Sequence, residues 1–185
     1  MERFAVIDTE TNWMDAVMSI GTVVADAETF EIIDSRYHIL PAACAWGGMY
    51  ADVLYWEDAT EPLECSRRAA MADLKDWLDA YGVEDLYAYN AGFDWNHLPE
   101  LAEYRWYDIM RMAAYRQYNN RIPECAECFK TGRLKRGYGV EAMLRLLSGR
   151  QDYREVHNAV CDARDELKLM RLLGRDPETY IRLNE

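Results

Sequence analysis

Residues 3–10 read Arg3-Phe4-Ala5-Val6-Ile7-Asp8-Thr9-Glu10, a short apolar run of β-forming residues that ends in two carboxylates. A run that stays apolar up to its end reads as a strand buried on both faces. Side chains two apart on a strand point to the same face. Asp8 and Glu10 therefore project together from the end of a buried strand, where α/β proteins tend to place ligands. Like charges this close oppose each other's ionisation, so the pair is favourable only beside something cationic. Taken alone, acids that end a strand and meet solvent are the plainer reading.

The rest of the chain supplies the partners such a strand needs. Residues 18–26 and 30–40 read as second and third strands, joined by a hairpin at Asp26–Thr29 and stopped by Pro41. Residues 42–65 are loop-like around Gly47-Gly48. Residues 67–80 carry apolar positions 70, 71, 74, 77 and 78 at helical spacing, with Gly82 as the stop. Residues 86–91 read as a fourth strand. A helix is expected from Asp94–Trp95 to about Leu101, and another over 106–118. Residues 119–137 look irregular. Residues 140–147 are helical up to Gly149, and the last helix starts after Asn158, a good N-cap, and runs to about Leu173. Strands followed by helices around a further strand predict an α/β fold, a mixed β-sheet flanked by α-helices. At 185 residues the chain is expected to form a single domain, 1–185.

Charge narrows the function. Lys and Arg number 21 against 33 Asp and Glu, a net charge of −12, which argues against coating of nucleic acid or anionic membrane by the whole surface. No apolar run is long enough for a membrane span. The N-terminus carries acids where a signal peptide would stay apolar. Cys44, Cys65, Cys125, Cys128 and Cys161 are odd in number and irregularly spaced, so reduced thiols and a cytoplasmic location are expected. Cys125 and Cys128 form one CxxC with no second ligand pair, which favours two loop thiols over structural zinc.

Three further residues join the first pair. Asp94 follows Asn90-Ala91-Gly92-Phe93 directly after a predicted strand, at a helix start. Asp162 lies just beyond the first turn of the last helix, on the flank of the stripe Ala159, Ala163, Leu167, Met170. His157 precedes that helix, on the loop. Within one helix a gap of five residues would turn the two side chains roughly 140° apart; placed across a helix start, they can face one pocket. Each has a plainer role by itself: Asp94 as a cap or first-turn acid, His157 as a solvated loop residue.

Together these segments resemble the motifs of the DEDDh, or DnaQ-like, 3′–5′ exonucleases. Asp8-Thr9-Glu10 looks like the first motif and Ser19–Val23 like the second strand of that family. Asn90-Ala91-Gly92-Phe93-Asp94 resembles the second motif, and His157-Asn158-Ala159-Val160-Cys161-Asp162-Ala163 the third. Trp106-Tyr107-Asp108 and Gly137–Met143 look like the family's connecting helices, and the similarity spans about residues 3–173. Where many members carry a His-Gly-Ile-type segment touching the terminal nucleotide, this chain reads Ala45-Trp46-Gly47-Gly48-Met49-Tyr50. Cys125–Lys135 looks like an insertion.

The resemblance implies a ribonuclease H-like fold and a metal-dependent 3′–5′ exonuclease that releases nucleoside 5′-monophosphates from the 3′ end of DNA or RNA. It implies two divalent cations, Mg²⁺ or Mn²⁺, and oxygen-only ligands do suit such hard ions. Asp8 would bridge both ions, Glu10 and Asp162 would hold the one carrying the attacking water, Asp94 would support the second, and His157 would be the general base. A single-stranded 3′ end is the expected partner, with no membrane, and with a homodimer or recruitment to a larger nucleic-acid-processing complex left open. No polymerase-binding tail is visible after Asn184, which suits a stand-alone protein or one recruited by its surface.

Candidate substrate contacts are Thr9, Asn12, Met49 and Asn90, with Lys130, Arg133, Lys135 and Arg136 for backbone phosphates. The last four stand out because residues 105–154 carry 11 basic and 5 acidic residues in an otherwise acidic chain; a solvated charged loop explains them as well. Two alternatives remain at this point: a module on the same fold that binds a nucleic-acid end or a complex with little or no turnover, and a purely structural cation site.

Overall fold

The computed structural model describes residues 2–183, so Asn184 lies outside the described residues. Strands β1 (Arg3–Thr11), β2 (Val17–Asp26) and β3 (Ile32–Ile39) form an antiparallel meander. Strand β4 (Leu63–Glu64) lies parallel to β3, β5 (Asp85–Ala88) parallel to β1, and β6 (Arg105–Asp108) parallel to β5. The result is one mixed six-stranded sheet in the order β4-β3-β2-β1-β5-β6.

The unbroken apolar run of β1 has its reason in two cores. Phe4 and Val6 face one, Ala5 and Ile7 the other. Helices α4 (Ile109–Ala114), α5 (Val140–Ser148) and α6 (Ala159–Leu173) cover the first face, and α2 (Arg67–Ala80) and α3 (Gly92–His97) the second. Helix α2 buries Ala70, Met71, Leu74, Trp77 and Leu78, the stripe its spacing predicts, and Ser66 caps it by accepting from Ala69 N. At Gly21 on β2, a Cβ would collide with the backbone of Ala159 and Val160. Glycine there lets the start of α6 rest directly on the sheet beside Asp8, which pairs with Gly21 across the ladder.

Several expected elements differ. The single helix expected over 106–118 is a strand followed by a short helix. Arg105–Asp108 pair with β5, and the Asp108 carboxylate accepts from Met110 N at 2.9 Å, capping α4. Helix α4 ends at Ala114; Tyr115 is extended and bridges Arg133. Apolar periodicity alone does not separate a buried strand and a short helix from one longer helix. The strand expected over 86–91 stops at Ala88, because Asn90 turns the chain with φ of 63°. Pro99 ends α3 at His97, and residues 99–101 continue as a separate 3₁₀ turn. The loop over 42–65 holds a short helix α1 (Pro41–Cys44), a 3₁₀ turn at Ala51–Val53 and β4.

Residues 115–138 are irregular, as expected for 119–137 but not for 115–118, and are ordered by Cys128 bridging Leu134 and by Leu134 N donating to Ala114 O. All five cysteines are free, and neither Cys125 nor Cys128 belongs to a metal-ligand cluster among the described residues. None of the described helices is long and apolar enough to cross a membrane.

Candidate active site

Glu10, His157 and Asp162 come together at the C-terminal end of β1, and Asp8 and Asp94, outside that tight group, lie near enough to interact with these acids electrostatically. Asp8 and Glu10 lie on the strand face covered by α6, because they continue the alternation set by Phe4 and Val6. Asp162 comes from the first turn of α6, which Asn158 caps by accepting from Cys161 N. Asp94 comes from the first turn of α3 and is 2% exposed. The Thr9 hydroxyl donates to Asp94 Oδ1 at 2.8 Å, and the left-handed turn at Asn90 delivers the helix to that position. Ligand atoms of Glu10, His157 and Asp162 lie within 4.8 Å of one another. His157 sits on the loop before α6 with φ of 61°, and its Nδ1 is 4.0 Å from Asp162 Oδ2.

The electrostatics describe a site short of positive charge. Burial pushes Asp8 well above the usual carboxylate range, and Asp94, Glu166, Asp162 and Glu10 add to it. Burial likewise raises Glu10, with Glu155 and Asp94 adding, and Asp162, with Glu155 and Glu10 adding. Asp94 is raised by burial and partly relieved by the Thr9 hydroxyl. Burial lowers the pKa of the His157 imidazole, against an opposing pull from Glu141, and so favours its neutral form.

Two oxygens, Asp8 Oδ2 and Asp162 Oδ1, are shielded from solvent and have no hydrogen-bond partner. A buried, unpaired carboxylate oxygen is costly unless a cation or proton meets it. All four acids offer oxygen donors alone, the set that Mg²⁺ and Mn²⁺ prefer. The residues present therefore fit such ions.

The other expected contacts divide. Met49 is 63% exposed, on the loop whose Gly47 carbonyl accepts from Trp13 N. Trp13, Met14 and Trp46, all exposed, extend this apolar rim. Asn90 is exposed, but its backbone N–H donates to Asp108 Oδ1. Thr9 is buried and spends its hydroxyl on Asp94. Asn12 is buried and closes the β1–β2 turn, accepting from Met14 N and Ala16 N and donating to Ala43 O. Lys130, Lys135 and Arg136 are exposed on the 115–138 arm, and the Arg133 guanidinium lies over the rings of Phe129 and Tyr138. The arm meets the site through Tyr89, whose hydroxyl donates to Tyr138 O.

Two acids escaped the sequence reading. Glu166 is 2% exposed, accepts from Tyr89 N at 3.0 Å, and burial beside Asp94 raises its pKa. Its position one helical turn after Asp162 was the available signal. Glu155, on the loop before His157, is pushed up to about 7 by burial and Asp165. A cavity of about 830 Å³ opens elsewhere, between Arg3, Tyr87, Arg105 and Asp176, and none of these acids lines it.

Solved structures share this arrangement of strands and helices. The chain is similar to the nuclease domain of 3′hExo, a DEDDh family member bound to rAMP, with TM-score 0.66 and 12% identity over 99% of this chain and 96% of that one. The fold is the ribonuclease H-like fold of the DEDDh exonuclease domains. A 3′-exonuclease described in 3′-end-specific recognition of a histone mRNA stem-loop matches this fold with TM-score 0.62 and 11% identity, over 99% and 71% of the two chains. E. coli Exonuclease I in complex with an oligonucleotide matches with TM-score 0.60 and 14% identity, over 97% of this chain and 42% of that one. No protein-family model and no curated protein sequence matches the chain.

Proposed function

We propose that this protein is a metal-dependent 3′–5′ exonuclease acting on the 3′ end of a single nucleic-acid strand, with Asp8, Glu10, Asp94, His157 and Asp162 as its catalytic residues. The observation that carries the reading is the pair of solvent-shielded, unpartnered oxygens on Asp8 and Asp162, with the His157 imidazole within 4.8 Å of Glu10 and Asp162 ligand atoms. A purely structural cation site does not need that imidazole at its edge.

Asp8, Glu10, Asp94 and Asp162 would hold two Mg²⁺ or Mn²⁺ ions, which when bound supply charge stabilisation at the scissile phosphate and lower the pKa of water. His157 accepts the proton of the attacking water, a role that suits a neutral imidazole near pH 7. Thr9 fixes the rotamer of Asp94. The exposed rim of Trp13, Met14, Trp46 and Met49 offers faces for the terminal bases. Lys130, Lys135 and Arg136 are placed to meet phosphates further from the end, on an arm that is basic within an acidic protein.

The test is incubation of 5′-labelled single-stranded DNA and RNA with Mg²⁺ or Mn²⁺. A ladder shortened from the 3′ end, absent with chelator and in Asp8→Ala, is expected. Stable binding without shortening of either strand would overturn the enzyme and leave an end-binding module.

A further inference from the structure

An imidazole that works as a base needs its ring plane fixed, and the usual device is a hydrogen bond to its second nitrogen. Among the described residues nothing plays that part for His157; its ring nitrogen nearest an acid is still 4.0 Å from Asp162 Oδ2. Its ring is instead covered by the Tyr50 ring, with centroids 4.2 Å apart and planes 18° apart. Such a near-parallel contact between two flat side chains resists tilting of either one.

The turn that follows Tyr50 is itself tied down. Tyr50 precedes the 3₁₀ turn Ala51–Val53. The Asn158 side-chain amide donates to Val53 O at 2.8 Å and to Leu54 O at 3.2 Å, and the Tyr37 hydroxyl also donates to Leu54 O. Asn158 is the residue that follows His157 and caps α6. One side chain therefore ties the turn carrying Tyr50 to the backbone carrying His157, so the two rings meet as parts of one clamp. On its other side, the turn is preceded by Gly48, where a Cβ would collide with the Met18 side chain and the Thr11 carbonyl. The loop thus lies tight against the end of the sheet.

We propose that Tyr50 is a positioning residue for the proposed general base: its ring holds the His157 imidazole with its edge toward Glu10 and Asp162. The proposal rests on the reading of this site as hydrolytic. The phenol hydroxyl has no part in it; the ring face alone does the positioning.

The chain has three histidines, His38, His97 and His157, so ring resonances are readily assigned after isotope labelling of histidine. Stacking shifts the carbon-bound ring protons of His157 upfield in the wild type and in Tyr50→Phe. In Tyr50→Leu they return toward the positions of an unstacked histidine. His97, which packs on Phe93 with centroids 4.3 Å apart, stays unchanged and reports that the fold is intact. On a single strand, Tyr50→Leu loses roughly tenfold or more in kcat with KM within about twofold, and Tyr50→Phe keeps both.

The proposal is overturned if Tyr50→Leu leaves the His157 resonances in place. It is also overturned if KM rises while kcat holds, because Tyr50 then stacks on a base rather than on the histidine. A wild type without hydrolysis removes the nuclease reading by itself, and the resonances still decide whether Tyr50 orders the ring.

Discussion

The Thr9 hydroxyl donates to Asp94 Oδ1 at 2.8 Å across 85 residues of sequence. This bond joins the end of β1 to the first turn of α3 and opposes the effect of burial on Asp94. Thr9→Val removes the donor at nearly constant volume and leaves a buried acceptor unpaired, at a cost of about 1–3 kcal/mol. The same change should weaken ion affinity or activity by about 10–100-fold, as loss of a group that orients a ligand does. Urea unfolding and ion titration of the variant check both effects.

His157→Ala should lose roughly 100-fold or more in turnover, the share a positioned general base supplies. Its thermal shift on adding Mg²⁺ or Mn²⁺ should persist, since the four carboxylates remain. A variant that turns over at the full rate near neutral pH removes His157 from the chemistry.

The raised carboxylates make an ion-free protein sensitive to alkali. Asp8, Glu10, Asp94 and Asp162 all have folded pKa values above their ordinary ones. The folded chain then binds more protons than the unfolded one. The contribution of these four groups to stability is full below the ordinary carboxylate range and is lost as pH rises through the raised values. In chelator, Tm should fall between pH 5 and pH 8. Divalent ions should restore it at pH 8 and do little at pH 5, where protons already meet the carboxylates. Asp162→Asn should raise the chelator Tm at pH 8. A Tm that is flat across this window would contradict the burial of these charges.

Gly21→Ala should destabilise the protein by roughly 1–3 kcal/mol, the usual cost of overpacking. The added methyl meets the backbone of Ala159 and Val160, which cannot rotate away as a side chain would. Because the start of α6 positions Asp162, activity should fall further than stability explains. Denaturant unfolding and turnover on the same samples separate the two losses.

Replacing Lys130, Lys135 and Arg136 by Gln should flatten the salt dependence of binding to a long single strand, by about 0.7 in log–log slope for each phosphate no longer neutralised. Cleavage of a dinucleotide should hold, since the arm's hydrogen bond toward the site runs from Tyr89 to Tyr138 and uses none of these three side chains. An unchanged slope makes the arm a solvated charged loop.

Local rules of the chain determined much of this protein. The two-residue period of a strand put Asp8 and Glu10 on one face, the unbroken apolar run announced a central strand, and Asn158 marked the start of α6, so His157 had to lie on the loop before it. These are legible because each depends on neighbours a few positions away. Whether 106–118 was one helix or a strand and a helix depended on β5 lying alongside to pair with Arg105–Asp108. The burial of Glu166, the capture of Asn12 within a turn, the closeness of Gly21 to Ala159 and the Tyr50–His157 stack all join segments that local rules do not connect. Only packing of the helices onto the sheet decided them, because the free energy of burial depends on what covers a side chain and not on what precedes it.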